Sequence, residues 1–189
     1  MEAFLTSTAV VALAEIGDKT MLLAIVLATR FRKPMPIILG ILFATIANHA
    51  LAALVGASVA GFLASDWFRY LVAASFIVMG LWTLIPDTFD EDDKPGGARG
   101  AFLTTLVAFF LVEMGDKTQI ATIALGARYL DVWLVAAGTT LGMMIANVPA
   151  VFLGEALVKR VPLGVVRAVA AALFVAIGVW MLAEVAGWI

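Results

Sequence analysis

Two short stretches, AEIGDKT (Ala14–Thr20) and VEMGDKT (Val112–Thr118), each set a glutamate, an aspartate and a lysine inside a long apolar run. Glu113 lies 98 residues after Glu15, and Asp116 lies 98 after Asp18. An ionisable group at the centre of a bilayer costs about 2.5–3.5 kcal/mol on insertion scales, so its presence points to function. If the local backbone is helical, Glu15 and Asp18 share a face, as do Glu113 and Asp116. Lys19 follows Glu15 by four positions and Lys117 follows Glu113 by four. That spacing predicts an ion pair within each motif. Each motif then carries a net charge of about −1, and the two together match a divalent cation.

The residues around the acids suit the same chemistry. Gly17 and Gly115 sit between glutamate and aspartate, where they permit a helix break or the close approach of a neighbour. Thr20, Thr118, Gln119, Asn48 and Asn147 are candidates to line the site with neutral oxygens. Carboxylates with such oxygens favour Mg²⁺, Ca²⁺ or Mn²⁺ over soft metals, in keeping with a chain that has no cysteine. Met21 and Met114 are expected to pack, and His49 is expected to hydrogen-bond between helices. Glu155 and Glu184, near span ends, are expected to face water. A cluster that can bind either a metal ion or protons is the minimum requirement for cation–proton antiport.

The elements that must position these groups are membrane helices. The chain of 189 residues is 63% hydrophobic and 14% charged, with a mean hydropathy of +1.07. A soluble domain of that length needs far more polar surface, so the fold class is an all-α integral membrane protein. Six apolar segments can be drawn, at Phe4–Thr29, Met35–Leu63, Trp67–Ile85, Ala101–Ala127, Val132–Leu157 and Val165–Val185. Each is long enough to cross a bilayer, which takes roughly 20 helical residues. The first has no basic stretch before it and reads as a retained transmembrane helix, not a signal peptide. DTFDEDDKPGGARG (Asp87–Gly100) reads as a solvated acidic linker between the two halves.

Three spans in each half make the second half enter the membrane in the opposite direction. The expected architecture is therefore two inverted-topology three-helix repeats, 1–86 and 101–189, joined by the linker 87–100. Arg30 with Arg128, Gly40 with Gly138 and Gly56 with Gly154 keep the offset of 98. His49 falls opposite Asn147 at that offset, while a one-residue gap would align Ala47–His49 with Ala146–Val148. Arg30, Arg32, Lys33, Lys94, Arg99, Lys159, Arg160 and Arg167 lie in or beside the loops after spans one, three and five, against Arg69 and Arg128 on the other side. That bias predicts cytoplasmic basic loops and both termini outside.

The paired E-x-G-D-K-T motifs resemble the signature E-x-G-D-[KR]-[ST] of a family of Golgi and bacterial cation–proton exchangers, which includes MneA-type manganese exporters. The resemblance covers essentially the whole chain. It implies Mn²⁺ export, with Ca²⁺/H⁺ exchange among eukaryotic relatives, and a metal site of Glu15, Asp18, Glu113 and Asp116. It implies no cofactor: Mn²⁺, or Ca²⁺, is the transported substrate, and protons and the lipid bilayer are the other partners. No long N-terminal targeting extension is present, so a bacterial inner membrane is expected.

Other functions fit less well. Membrane aspartyl proteases use G-x-G-D, but the positions two before Gly17 and Gly115 are Glu15 and Glu113. A single histidine excludes zinc sites that need two, and no G-x-x-x-x-G-K-[ST] loop offers ATP-driven pumping. An exporter of another cationic solute and a passive cation channel remain open alternatives. Nothing points to nucleic acid.

Overall fold

The computed structural model describes residues 1–62, 66–85, 100–153 and 163–188. Among them all regular structure is helical: α1 (Glu2–Glu15), α2 (Lys19–Phe31), α3 (Pro34–Phe62), α4 (Asp66–Thr83), α5 (Ala101–Glu113), α6 (Lys117–Tyr129), α7 (Val132–Leu153) and α8 (Leu163–Val185). The acidic linker up to Arg99, together with Lys94, Glu155, Lys159 and Arg160, lies outside the described residues. Among the described residues, three helices are long and apolar enough to cross a membrane: Pro34–Ala60 of α3, α7, and Ala168–Val185 of α8. Arg69–Thr83 of α4 and the whole of α5 are shorter apolar helices.

The apolar segments Phe4–Thr29 and Ala101–Ala127 are interrupted at Gly17 and Gly115, the positions where the sequence permits a break. Each is two helices that meet at the motif. With 14 residues, α1 rises about 21 Å, too short alone for a core of about 30 Å. In tandem, α1 with α2 and α5 with α6 have the reach.

The two halves repeat in their details. Arg32 and Leu130, 98 residues apart, close α2 and α6 in the left-handed region, with φ of 52° and 56°. Their N–H groups donate to Ala28 and Gly126 carbonyls at 2.9 and 3.0 Å. Both caps end a helix that the chain must leave sharply. Pro34 then opens α3 in its first turn, where a missing N–H costs nothing.

Glycines set the helix contacts. A Cβ on Gly138 of α7 would meet the Phe4 carbonyl of α1 at 2.5 Å, and one on Gly40 of α3 would meet the Phe102 carbonyl of α5 at 2.8 Å. Only glycine allows backbones this close, as in other membrane helix pairs. Gly80 and Gly178 make the same exchange between α4 and α8, against the carbonyls of Ala171 and Ala73 at 2.9 and 2.8 Å. Because α3 and α7 run unbroken past these glycines, the offset of 98 extends to His49 and Asn147.

The apolar interior forms two clusters. One joins Val10, Phe76, Leu125, Val135, Phe174 and their neighbours. The other joins Leu23, Leu27, Ile41, Phe109, Val151 and theirs. The first draws mainly on α1, α4, α6, α8 and the start of α7, the second on α2, α5, the start of α3 and the rest of α7. Outside, α3 shows Met35, Leu39, Phe43, Ile46, Leu51 and Leu54 at steps of three to five. A stripe this apolar has hydrocarbon, not water, as its natural solvent.

Candidate metal centre

The break has the same geometry in both motifs. After Glu15, Ile16 turns extended at ψ 112°, Gly17 takes φ +86°, and Asp18 becomes the N-cap of α2. After Glu113, Met114 has ψ 118°, Gly115 takes φ +79°, and Asp116 caps α6. The Asp18 N–H donates to the Glu15 carbonyl at 3.0 Å and the Asp116 N–H to that of Glu113 at 3.1 Å. Positive φ here costs a residue with a Cβ about 1–2 kcal/mol, which explains glycine at both positions. The acids are thus not neighbours on one helical face, as a continuous helix would make them. Each glutamate ends one half-helix, and each aspartate starts the next.

That difference shapes the electrostatics. The N-termini of α2 and α6 bring the positive ends of their dipoles to the aspartates. The C-termini of α1 and α5 bring carbonyls that lack helical partners. Anionic side chains and carbonyl dipoles are therefore assembled at one depth, as in transporters with discontinuous helices.

All four carboxylates are buried: Glu15 and Glu113 are 0% exposed, Asp18 3% and Asp116 4%. Oxygens of Glu15, Glu113 and Asp116 lie within 4.8 Å of one another. Thr20 donates its hydroxyl to Glu15 at 2.5 Å, and Thr118 donates to Glu113 at 3.0 Å. Glu15 Oε1, Glu113 Oε1 and Asp116 Oδ2 have no hydrogen-bond partner among the described residues. Buried carboxylate oxygens are rarely left so, because each forgoes water without replacement. Hard oxygens grouped at this spacing suit a divalent cation.

The lysines behave differently from expectation. Among the described residues, the lysine ion pairs are not the ones expected within each motif. The pairs cross instead. Lys19 Nζ lies 3.2 Å from Asp116, and Lys117 Nζ lies 3.3 Å from Asp18. Each half thereby supplies the counter-charge for the other. The Lys117 side chain is 4% exposed and that of Lys19 26%.

The neutral residues divide. Asn48 donates to the Phe110 carbonyl at 3.0 Å, one of those that the end of α5 leaves without a helical donor. Gln119 accepts from the Gly115 N–H at 2.6 Å, so its oxygen braces the second break. The corresponding residue in the first motif is Met21, buried and without such an acceptor. Asn147 donates back to Met143, to the carbonyl at 3.1 Å and the sulfur at 2.9 Å, and its Oδ1 is buried without a partner. Met114 is exposed, not packed. His49 is fully buried, yet neither ring nitrogen has a hydrogen-bond partner among the described residues. Among the described residues, the helix–helix hydrogen bond expected of it is not formed.

Glu184 does more than face water. It accepts from Arg128 at 2.8 Å and from Arg69 at 3.3 Å, joining α6, α8 and α4. Arg69 also lies 98 residues before Arg167, a spacing that could have drawn attention to it in the sequence.

A helical bundle with an apolar skin, which buries a carboxylate cluster between two helix breaks, has the build of a membrane transporter for cations. The sequence profile of the divalent cation/proton antiporter family GDT1 matches residues 3–91 and 101–188, and the chain belongs to that family. It is 50% identical over 176 residues to a protein of Vibrio cholerae serotype O1 named "Putative manganese exporter", covering 92% of this chain and 87% of that one. It is 29% identical over 209 residues to GDT1-like protein sll0615 of Synechocystis, covering 100% and 98%. With GDT1-like protein 5 of Arabidopsis thaliana the identity is 26% over 217 residues, covering 95% and 94%. No solved structure matches the chain.

Proposed function

We propose that this protein exports Mn²⁺ across a bacterial inner membrane in exchange for protons, using Glu15, Asp18, Glu113 and Asp116 as the shared site. The observation that carries the reading is the group of three buried carboxylates, each with an unpartnered oxygen, where two helix breaks meet. With four carboxylates and two lysines ionised, the site totals about −2, which a divalent cation neutralises. Asn147, whose Oδ1 is unpartnered, is a further candidate lining residue; Thr20, Thr118, Asn48 and Gln119 serve the acids and the breaks. Metal entering the cluster displaces protons, and protons arriving from the other side release the metal.

The framework of this reading is six spans in two inverted three-helix repeats, residues 1–86 and 101–189. Its support is the offset of 98 kept by the breaks, the left-handed caps and the glycine contacts. Both termini are assigned to the outside from the distribution of basic residues. Manganese is favoured by the name of the Vibrio relative, and the oxygen-rich donor set suits Ca²⁺ as well, so Ca²⁺/H⁺ exchange is the second reading.

The test is metal-driven proton movement in proteoliposomes, run with Mn²⁺, Ca²⁺ and Mg²⁺. Mn²⁺-driven proton flux is expected, and its loss in Asp116→Asn assigns it to this site. Metal flux indifferent to the proton gradient would make the protein a channel and overturn the antiport reading. Flux with Ca²⁺ alone would select the second reading.

A further inference from the structure

At the Arg128 end, α1, α4, α6 and α8 enclose a cavity of about 280 Å³ that the metal centre does not use. Its floor is apolar: Phe76, Leu125 and Met181 are buried, and Ile177 is half-buried. Its rim is charged, with Glu2, Arg128 and Tyr129 beside the indole of Trp180. The Tyr129 hydroxyl donates to Glu2 at 3.3 Å, and the Arg128 guanidinium lies 5.8 Å from the centre of the Tyr129 ring. An acid and a base therefore share one edge of the opening.

These features narrow what can sit there. A buried water needs about two to four polar partners, and the side chains of the floor offer no strong one, so the deep part suits hydrocarbon. The rim suits a headgroup. Trp180 is 63% exposed on a helix whose Val169 and Val179 also face outward, so the opening reaches the apolar skin of α8. Tryptophan and tyrosine concentrate where hydrocarbon meets headgroups. Arg128 has several N–H donors, of which Glu184 takes one at 2.8 Å, and basic pockets between membrane helices bind lipid phosphates. The offset of 98 sharpens the picture. Phe174, Leu27, Trp82 and Arg30 stand where Phe76, Leu125, Trp180 and Arg128 do, so the apolar lining and the arginine belong to the repeat. Gly100 and Phe31 stand where Glu2 and Tyr129 do. What the Arg128 end adds is a carboxylate and the phenol that holds it, which together make an acceptor for a positive group.

We propose that this cavity binds a phospholipid with a primary ammonium headgroup, one acyl chain filling the floor, Arg128 taking the phosphate and Glu2 the ammonium. Tyr129 is the positioning residue that holds Glu2 at the rim. Seated there, the lipid joins α1 to α6 and α8. Such binding is independent of metal transport and can be read on purified protein.

The full chain is purified in detergent, stripped of lipid, and offered dioleoyl phosphatidylethanolamine or phosphatidylglycerol with the same chains. Bound lipid is counted by native mass spectrometry, and melting is followed in parallel. Phosphatidylethanolamine is expected to be retained, with a preference over phosphatidylglycerol of up to about fivefold, the range for a partly exposed ion pair. Glu2→Gln is expected to remove the preference and leave lipid bound, because the chain and phosphate contacts remain. Tyr129→Phe is expected to weaken the preference in part, since Glu2 is then unheld. Ala176→Trp, at an exposed position that lines the cavity, is expected to abolish retention of both lipids without lowering the melting temperature of the lipid-free protein. Retention that survives Ala176→Trp would place the lipid elsewhere on the surface and overturn the proposal. So would a parent that holds the two lipids equally or holds neither, or a preference unchanged in Glu2→Gln, which reads the headgroup whatever Ala176→Trp does to stability. Each of these results leaves metal–proton exchange standing.

Discussion

The first break, Glu15 to Lys19, and the second, Glu113 to Lys117, take nearly the same backbone path but stand in different surroundings. At the second, Gln119 accepts the Gly115 N–H, Asn48 caps a carbonyl of Phe110, and Lys117 is buried. At the first, Met21 replaces the glutamine and Lys19 is partly exposed. The acids, the glycine and the threonine are common to the two copies. On the proposed function, the groups that would touch a cation are present in both copies, whereas the residues around them differ. One copy has become the braced one.

The comparison breaks first at the acids. Asp18→Asn and Asp116→Asn are each expected to abolish metal transport while the protein still reaches the membrane, measured as metal uptake into vesicles alongside membrane yield. On the proposed shared site the effect should be equal in size. Near-normal transport in either variant would remove that aspartate from the site.

The lysines should separate the copies. Lys117→Gln removes the buried ammonium 3.3 Å from Asp18, and removing one partner of such a pair costs roughly 3–5 kcal/mol. Lys19 sits where water can reach, so Lys19→Gln is expected to cost less, on the order of 1 kcal/mol. Thermal melting in detergent reads the difference. Equal melting points would mean that the burial contrast has no energetic weight.

Gly17→Ala and Gly115→Ala come next. Both residues hold positive φ, and a Cβ on Gly115 has no heavy atom within 4 Å, so backbone strain alone acts there. A loss of about 1–2 kcal/mol is expected at Gly115. Stability unchanged in Gly115→Ala would show that the break relaxes into ordinary helix in the membrane.

Much of this is legible in the sequence, for reasons that differ by residue. The motifs stand out because charge in an apolar run is costly, and their offset of 98 is countable. Helix positions come from hydropathy, so the ends of α3, α4 and α8 fall within two residues of the expected spans. The crossed lysine pairs are not legible, because helical spacing assumes a continuous helix and the positive φ of Gly17 and Gly115 turns the chain beyond them in a new direction. Gln119 looks like a ligand because its side chain has an oxygen. Nothing in composition says that the freed Gly115 N–H would claim it. The Glu184 clasp is hidden for another reason: its partners lie 56 and 115 positions away in the chain.

The smallest effect tests the bracing itself. Gln119→Met converts the second copy to the residue found in the first, and Met21→Gln makes the reciprocal change. Losing an acceptor for the Gly115 N–H should destabilise the protein by about 1 kcal/mol, a typical net value for one hydrogen bond. Because Gln119 acts on Gly115 and through it on Asp116, the half-saturating metal concentration should rise more than the maximal rate falls. Gln119→Glu, which keeps an acceptor oxygen, should recover stability but not the balance of charge, and so separates bracing from ligation. Met21→Gln should leave both quantities nearly unchanged, since α2 has functioned without that brace. If Gln119→Met instead removed transport as completely as Asp116→Asn, the glutamine oxygen would belong to the metal site after all. The two breaks would then differ in their ligands, and not only in their supports.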